Sequence, residues 1–396
     1  MVAPPEQTQP PQKELALQAF LASHRNLPAQ RSAEWLANRR YTIGGSEMGT
    51  ITNENPYGDI RGLVEGHIGL RTFTGNINTY WGSAIEGLVT RFLERRWGCR
   101  IHETGSLPGA IPTQKYSPDG LVYLPSRDKI ILLEIKSAAR RIADGKVPRM
   151  YKPQVYAGLD SIPIADLAVF VDAMFRRCSA QDLAFTPAYD HAIHPDKPTG
   201  TPLALALVCF YEPTYSAGYD QLKLAAGVPR DGVVGVGDVC AATLEDVLRG
   251  AAEGRLRAYY PRAIVAADGE DAADVHTMYD EFAAHCRANA FEPVAVMPVK
   301  LFRLDLVDVE RGSWTTAFRG KKQPIQVGSA SYVETFRGVI ERVVGEIRHL
   351  DTLTSAAEKE AELDRLYPPP ARGSPRGEVA AISEGMVAYL VESLMA

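Results

Sequence analysis

The sequence predicts an α/β protein, because patterns typical of helices and of buried strands alternate along its first half. Apolar residues recur at helical spacing over residues 83–97. Continuous apolar runs at 166–175 and 203–211 are typical of buried strands. A further strand, residues 129–136, follows a Pro-Asp-Gly turn at 118–120. The order predicts a sheet covered by helices.

Shorter patterns complete this prediction. Residues 13–38 and 153–160 have helical patterns. The glycine pair at 44–45 predicts a turn that opens another helix, whose exposed N–H groups would suit an anion. The Asn-Pro-Tyr-Gly sequence at 55–58 would end that helix.

The chain divides into five predicted segments. The Pro- and Gln-rich residues 1–14 are typical of a disordered tail. Residues 15–212 form the predicted α/β core, and 213–367 form a mainly helical extension of unknown role that contains one predicted strand, residues 299–309. Residues 368–378 are a Pro-rich linker, and 379–396 have the spacing of a terminal helix.

Composition points to a globular protein inside the cell. The chain of 396 residues is 45% hydrophobic and 23% charged, with no apolar run long enough to cross a bilayer and no signal-peptide pattern. Its five cysteines are scattered, which favours a reducing compartment, cytoplasm or nucleus, over a zinc or iron–sulfur site.

Charge is unevenly distributed along the chain. The net charge is −5, but residues 1–180 contain 22 basic and 17 acidic side chains. A basic run that includes Arg140 and Arg141 follows the strand 129–136. Such a run is often a solvated face, but its position beside an acidic motif favours contact with phosphate groups.

That acidic motif consists of Asp119, Glu134 and Lys136. Alternate residues of a strand share one face, so Glu134 and Lys136 point the same way and Ile135 points away. Two carboxylates can bind a hard divalent cation, together with the carbonyl of Ile135. The alternatives are an ordinary turn for Asp119 and a plain Lys136–Glu134 salt bridge.

Four segments in this order resemble the PD-(D/E)XK nucleases, and within them the lambda exonuclease and YqaJ viral recombinase family. The motif above is similar to the PD-(D/E)XK signature. The three others are Gly82 to Glu86, similar to a Gly-xxx-Glu helix; Arg39 to Ser46, similar to an Arg…Gly-Gly-Ser segment; and the helix around Gln154.

The resemblance implies a restriction-endonuclease-like core, a mixed central sheet flanked by helices, with Mg²⁺ as cofactor and Mn²⁺ able to substitute. It implies catalytic roles for Asp119, Glu134 and Lys136, with Glu86 as a further acidic group or a second-metal ligand. Three more residues are implied to bind phosphate: Arg39 (or its neighbour Arg40), Ser46 and Ser117. Gln154 would orient Lys136 or contact DNA.

The function predicted on this basis is a DNA exonuclease that acts on linear duplex ends, 5′ to 3′, in recombination or repair. The resemblance also implies a single-strand annealing protein as partner and a homotrimer. One alternative is an endonuclease or RecB-like nuclease with the same site. A second is a catalytically silent scaffold that binds DNA ends, against which the intact carboxylates argue.

Overall fold

A seven-stranded mixed sheet forms the centre of the protein in a computed structural model. The structure describes residues 10–27, 33–72, 75–178, 201–214, 241–262, 265–266, 275–312, 314–317, 324–327 and 331–368. Within these residues helices cover both faces of the sheet. The predicted fold class, an α/β core with a mixed central sheet flanked by helices, is thereby confirmed.

Twelve strands are present in the described parts of the chain. They are β1 Ile43–Gly44, β2 Leu107–Pro108, β3 Gln114–Tyr116, β4 Gly120–Leu124, β5 Lys129–Lys136, β6 Leu167–Arg177, β7 Ala204–Glu212, β8 Arg257–Tyr259, β9 Val265–Ala266, β10 Glu292–Glu310, β11 Trp314–Ala317 and β12 Pro324–Val327. The central sheet has the order β4-β5-β6-β10-β7-β8, and β9 also pairs with β7. Strands β1, β3 and β2 form a small second sheet, and β11 pairs with β12.

Eleven α-helices accompany these strands in the same described residues. They are α1 Gln12–Ser23, α2 Ala33–Arg39, α3 Met48–Ile51, α4 Ile60–His67, α5 Ile77–Trp97, α6 Lys152–Ser161, α7 Ala241–Ala252, α8 Val275–Asn289, α9 Tyr332–Thr335, α10 Arg337–Asp351 and α11 Ala356–Leu366.

The acidic motif lies on a βαβ unit. Strands β5 and β6 are parallel, and α6 makes the crossover that a parallel pair requires. On β5, Leu133 and Ile135 face the core beneath α5, whereas Leu132 faces the opposite core beneath α6. Because side chains alternate along a strand, Glu134 points to the α6 side. The β5 bounds and the two-residue alternation were both predicted.

Helix α5 is longer than its apolar pattern predicted, beginning at Ile77 rather than near residue 83. Its N-cap is Asn76, whose side chain accepts from the N–H groups of Asn78 (3.0 Å) and Thr79 (3.3 Å). Gly98 ends the helix with φ 63°, a left-handed conformation that glycine adopts without a Cβ clash. A polar N-cap and a C-terminal glycine, neither of which an apolar periodicity registers, therefore set the two ends.

Strand β10 is a central strand, although it comes from the segment predicted as a C-terminal extension. Its residues 292–301 pair with β7 and its residues 299–310 pair with β6, so that it completes the sheet between them. Helix α10 also packs its apolar face into the core on the α6 side. The boundary predicted at residue 212 therefore does not separate two independent cores.

The ends of the chain differ in part from the sequence-based prediction. Helix α1 begins at Gln12, within the segment predicted as a disordered tail, and Lys13 Nζ contacts Asp166 at 2.9 Å. The remainder of that tail up to residue 9, nearly all of the predicted linker and the whole predicted terminal helix lie outside the described residues.

Two further predictions concern the compartment. In the described residues, no helix combines the length and apolar character needed to cross a membrane. None of the four cysteines in these residues forms a disulfide.

Candidate active site

The side chains of Asp119, Glu134 and Lys136 meet where β5 ends. Asp119 immediately precedes β4, the antiparallel neighbour of β5, and its Oδ2 accepts a hydrogen bond from the Ile135 N–H at 2.6 Å. Lys136 Nζ forms an ion pair with Glu134 Oε1 and lies 3.7 Å from Asp119 Oδ2. Lys136 therefore contacts both carboxylates, and the pairing of β4 with β5 brings the three predicted residues together.

Glu134 is fully buried, and both of its carboxylate oxygens have partners. Lys136 Nζ donates to Oε1, and the hydroxyl of Tyr116 donates to Oε2 at 2.8 Å. Burial raises the pKa of Glu134, Lys136 acts in the opposite direction, and Asp119 raises the pKa further. A carboxylate in this environment favours a nearby cation strongly, because the cation lowers the cost of keeping it charged.

The ammonium of Lys136 is surrounded by oxygen atoms that suit a metal ion. Besides Glu134 Oε1 and Asp119 Oδ2, it contacts the carbonyl oxygen of Ile135 at 3.1 Å. Burial lowers the pKa of Lys136, but the charges of Glu134 and Asp119 more than offset this and hold the pKa above its ordinary value. Two carboxylates and a carbonyl are hard donors of the kind Mg²⁺ prefers. The residues present therefore fit the implied cation.

Most of the predicted phosphate-binding residues share one cleft with this motif. The cleft has a volume of about 250 Å³. It is lined by Arg39, Gly44, Gly45, Ser46, Ser106, Lys115, Ser117, Asp119, Lys136 and Gln154. Segments distant in sequence thus form its walls: the end of α2, the residues around the β1 loop, Ser106, the residues from β3 to β4, the end of β5 and helix α6. Their side chains give it a basic and hydroxyl-rich lining beside the carboxylates.

Glu47 anchors the loop that carries Ser46. Its Oε1 accepts from Arg39 Nη2 at 3.0 Å and lies 3.1 Å from His67 Nε2, and its Oε2 accepts from the Gly44 N–H at 2.6 Å. Burial raises the pKa of Glu47, but these partners more than reverse the effect and lower the pKa to about 2. Glu47 therefore stays charged and holds Arg39 at the cleft, where Arg39 Nη2 is 3.5 Å from Ser46 Oγ.

Arg141, whose predicted contact with DNA stays a prediction, is paired within the protein. Its guanidinium forms two hydrogen bonds with Asp172 on β6, one of them at 2.8 Å from Nη2 to Oδ1. Asp172 is buried and lies in register with Lys136. Arg141 therefore ties the segment after β5 to the sheet. Arg140 is exposed and does not line the cleft, so its contact with DNA stays a prediction.

Glu86 is near the site but is not part of the cleft lining. It lies half-buried on α5, and its charge raises the pKa of Lys136. In the described residues, no three His, Cys, Asp or Glu side chains form a group that could hold a metal ion. Glu86 therefore does not join Asp119 and Glu134 in one such group, and its role as a ligand stays a prediction.

Three residues of the site were not predicted from the sequence. Lys115 shares the cleft with Ser117 and Asp119, and alternation along an extended chain could have indicated it, since the three are two residues apart. Glu47 stands three residues after Gly44, a spacing that often marks a side chain reaching back to the start of a helix. No local pattern distinguishes Tyr116, whose partner Glu134 is 18 residues away.

The fold and the site define a protein with a mixed α/β core and an acidic motif of the PD-(D/E)XK kind at the end of a central strand. Residues 34–161 match the model of the YqaJ-like viral recombinase domain. The resemblance inferred from the motifs is thereby confirmed for this part of the chain, which contains every predicted site residue.

Curated relatives come from African swine fever virus. A protein from a Malawi tick isolate of this virus is 29% identical in an alignment covering 48% of this chain and 63% of that protein. Its counterpart in a South African tick isolate is 28% identical with the same coverage. The chain thus spans less than two thirds of the length of these relatives.

Among solved structures, an alkaline exonuclease from Laribacter hongkongensis is 21% identical with a TM-score of 0.29. The match covers 36% of this chain and 73% of that one. The same exonuclease in complex with dAMP matches at 19% identity and the same TM-score. At this TM-score the likeness supports no conclusion about the present chain.

Proposed function

We propose that this protein is a metal-dependent deoxyribonuclease that removes nucleotides from the ends of linear duplex DNA, 5′ to 3′, in recombination or repair. The observation that carries this proposal is the shared cleft. Arg39, Ser46 and Ser117, a set suited to a terminal phosphate, line the same cleft of about 250 Å³ as Asp119 and Lys136. A phosphate site beside a hydrolytic site favours cutting at ends over internal cutting.

The residues divide the chemistry among them. Asp119, Glu134 and the carbonyl of Ile135 would hold Mg²⁺, with Mn²⁺ able to substitute. When bound, the cation polarises the scissile phosphate and lowers the pKa of a water molecule. Lys136 lines the cleft and is held protonated, so its ammonium is available to the charge that develops on the phosphate.

The phosphate-binding wall positions the end of the substrate. Arg39, kept in place by Glu47, supplies planar N–H donors that match phosphate oxygens. Ser46 and Ser117 supply hydroxyl donors, and Lys115 adds a cation on the same wall. Gln154, on α6, lies where it can orient Lys136 or contact the DNA.

The partners of such an enzyme are part of the proposal. Duplex ends are the substrate, a single-strand annealing protein would receive the exposed strand, and the active form would be a homotrimer. The family match supports a role in recombination. An endonuclease or RecB-like nuclease with the same carboxylates is the second candidate, and a silent end-binding scaffold is the third.

One experiment separates these candidates. Linear and closed-circular duplex DNA are incubated with the full chain and either Mg²⁺ or a chelator. The linear substrate carries a 5′-phosphate or a 5′-hydroxyl and a label at either end. Glu134→Gln and Lys136→Ala test the site, and Glu360→Gln makes the same acid-to-amide change on the exposed face of α11.

The expected result is Mg²⁺-dependent release of nucleotides from the 5′ ends of linear DNA only, faster with a 5′-phosphate. Activity is lost in Glu134→Gln and Lys136→Ala and retained in Glu360→Gln. Cutting of the closed circle would instead establish an endonuclease. Tight binding of ends without hydrolysis under any metal would overturn the enzyme and leave the scaffold.

A further inference from the structure

Tyr116 connects the loop of residues 44–47, the proposed phosphate-binding loop, to the buried carboxylate of Glu134. Its side chain is 1% exposed and lies between Gly45 of that loop and Gly158 of helix α6. A Cβ atom at Gly45 would lie 2.3 Å from the ring atom Cδ2, and one at Gly158 would lie 2.4 Å from Cζ. Any side chain at either position would therefore displace the ring.

The Tyr116 hydroxyl determines how the Glu134 carboxylate is used. It donates to Oε2 at 2.8 Å, while Oε1 faces Lys136, the residue around which the candidate metal ligands gather. A carboxylate can rotate about its last bond, and a hydrogen bond to one oxygen limits that rotation. The same bond gives the buried Oε2 a partner when Oε1 contacts a cation.

The pairing of β3 with β1 links the position of the Tyr116 hydroxyl to the position of the loop. Strand β3 ends at Tyr116 and pairs in parallel with β1, so that Ile43 is opposite Gln114 and Gly44 is opposite Lys115. The loop that begins at Gly44 is therefore attached to β3 through backbone pairing. The Tyr116 ring also packs directly on Gly45 of this loop. Movement of the loop would shift the hydroxyl relative to Glu134.

We infer that Tyr116 is a positioning residue that fixes the Glu134 carboxylate for a divalent cation and couples this orientation to the phosphate-binding loop. The inference rests on the proposed function in one respect, that the site holds such a cation. Hydrogen bonds from neighbouring groups to metal-ligating carboxylates commonly change metal affinity by about 10- to 100-fold.

Direct metal binding tests this role without reference to activity. Mn²⁺ is titrated calorimetrically into the DNA-free full chain, and Tyr116→Phe keeps the ring but removes the donor. Tyr123→Phe is the matched control, because its hydroxyl also donates to a carboxylate, Asp128, at 3.0 Å, at the far end of β4. The dissociation constant for Mn²⁺ is expected to rise about tenfold in Tyr116→Phe and to stay unchanged in Tyr123→Phe.

Coupling to the loop is tested by Gly45→Ala in both backgrounds. With Tyr116 present, the added Cβ displaces the hydroxyl and weakens Mn²⁺ binding. With Phe at position 116 no donor remains to be displaced, and Gly45→Ala adds little further loss. Gly345→Ala, where a Cβ meets nothing within 4 Å, is the glycine control. Gly158→Ala repeats the test from the α6 side if the loop variant does not fold.

The outcomes distinguish this inference from the proposed function. If the unmodified protein binds Mn²⁺ and cleaves DNA while Tyr116→Phe binds Mn²⁺ equally tightly, the positioning role is overturned and the nuclease stands. Equal losses from Gly45→Ala in both backgrounds would overturn the coupling to the loop. If the unmodified protein neither binds Mn²⁺ nor cleaves DNA, both the inference and the proposed function fail.

Discussion

Replacing Glu47 by Gln should destabilise the loop of residues 44–47, which carries Ser46. It should also change how the free energy of unfolding depends on pH in a specific way. The carboxylate accepts from Arg39 and from the Gly44 N–H and contacts His67, and its side chain is only 18% exposed. Glutamine keeps the shape of the side chain but carries no charge. Its NH₂ group would face either Arg39 or the Gly44 N–H, both of which are donors and cannot accept a hydrogen bond from it. The variant tests whether this ion pair holds Arg39 at the cleft.

The magnitude follows from the pKa of Glu47, which is lowered from an ordinary 4.5 to about 2. At roughly 1.4 kcal/mol per pKa unit, the folded state gains about 3 kcal/mol from the charged carboxylate. Because the folded pKa is lowered, this stability is fully present above pH 4.5 and is lost as the pH falls through about 2.

His67 makes the free energy of unfolding depend on pH in the opposite direction, at higher pH. Burial lowers the pKa of His67, but the hydrogen bond and charge of Glu47 more than offset this and raise the pKa above its ordinary 6.5. Its contribution is therefore present below pH 6.5 and is lost as the pH rises through the folded value. Because the pKa shifts of Glu47 and His67 both include their contact with each other, the two contributions to stability are not added.

Urea denaturation of the two proteins between pH 3 and pH 9 measures the difference in the free energy of unfolding. The difference should be about 3 kcal/mol between pH 4.5 and 6.5 and smaller on either side. A difference below about 0.5 kcal/mol, the usual size for an unimportant surface change, would refute the reasoning. So would a difference that does not vary with pH.

Three further predictions follow from the site. Arg39→Ala should lower cleavage of 5′-phosphorylated ends about tenfold relative to 5′-hydroxyl ends, since one charge-assisted hydrogen bond contributes roughly 1.5–3 kcal/mol; initial rates measure this, and equal losses on both ends would contradict it. Arg141→Ala should lower the free energy of unfolding by about 3 kcal/mol in urea, because Asp172 stays buried without its partner; unchanged stability with weaker DNA binding would assign Arg141 to the DNA surface after all. Mg²⁺ at a hundred times its dissociation constant should stabilise the protein by roughly 2.7 kcal/mol, seen as a higher melting midpoint; the same rise in Asp119→Asn would place the ion elsewhere.

The acidic motif of Asp119, Glu134 and Lys136 was predictable because its pattern is local. Glu134 and Lys136 share a strand, and alternation alone puts them on one face. Asp119 required only an antiparallel neighbour joined by a short connection, and the structure has that arrangement in β4 and β5. Patterns of this kind are complete within about twenty residues of sequence.

The sequence did not reveal contacts between distant segments. Arg141 was predicted to bind DNA, and nothing near it in sequence shows that it also pairs with Asp172, 31 residues later, which is in register with Lys136. Strand β10 was recognised as a strand over residues 299–309, but its length and its place between β6 and β7 depend on pairing with residues about 80 to 140 positions earlier in the chain. Periodicity indicates the type of an element, and only packing determines its neighbours.

The central place of β10 has a consequence for how the protein is made. Residues 34–161 contain every group of the candidate site. Strand β10, which pairs with the edge of β6 opposite β5, is not complete until residue 310 has been synthesised. A nascent chain that has completed β6 exposes an unpaired apolar edge, the kind of surface that promotes wrong strand pairing. Because long-range strand pairing is slow, we expect folding to be limited by β10 insertion, and the candidate site to acquire its rigid support late in synthesis.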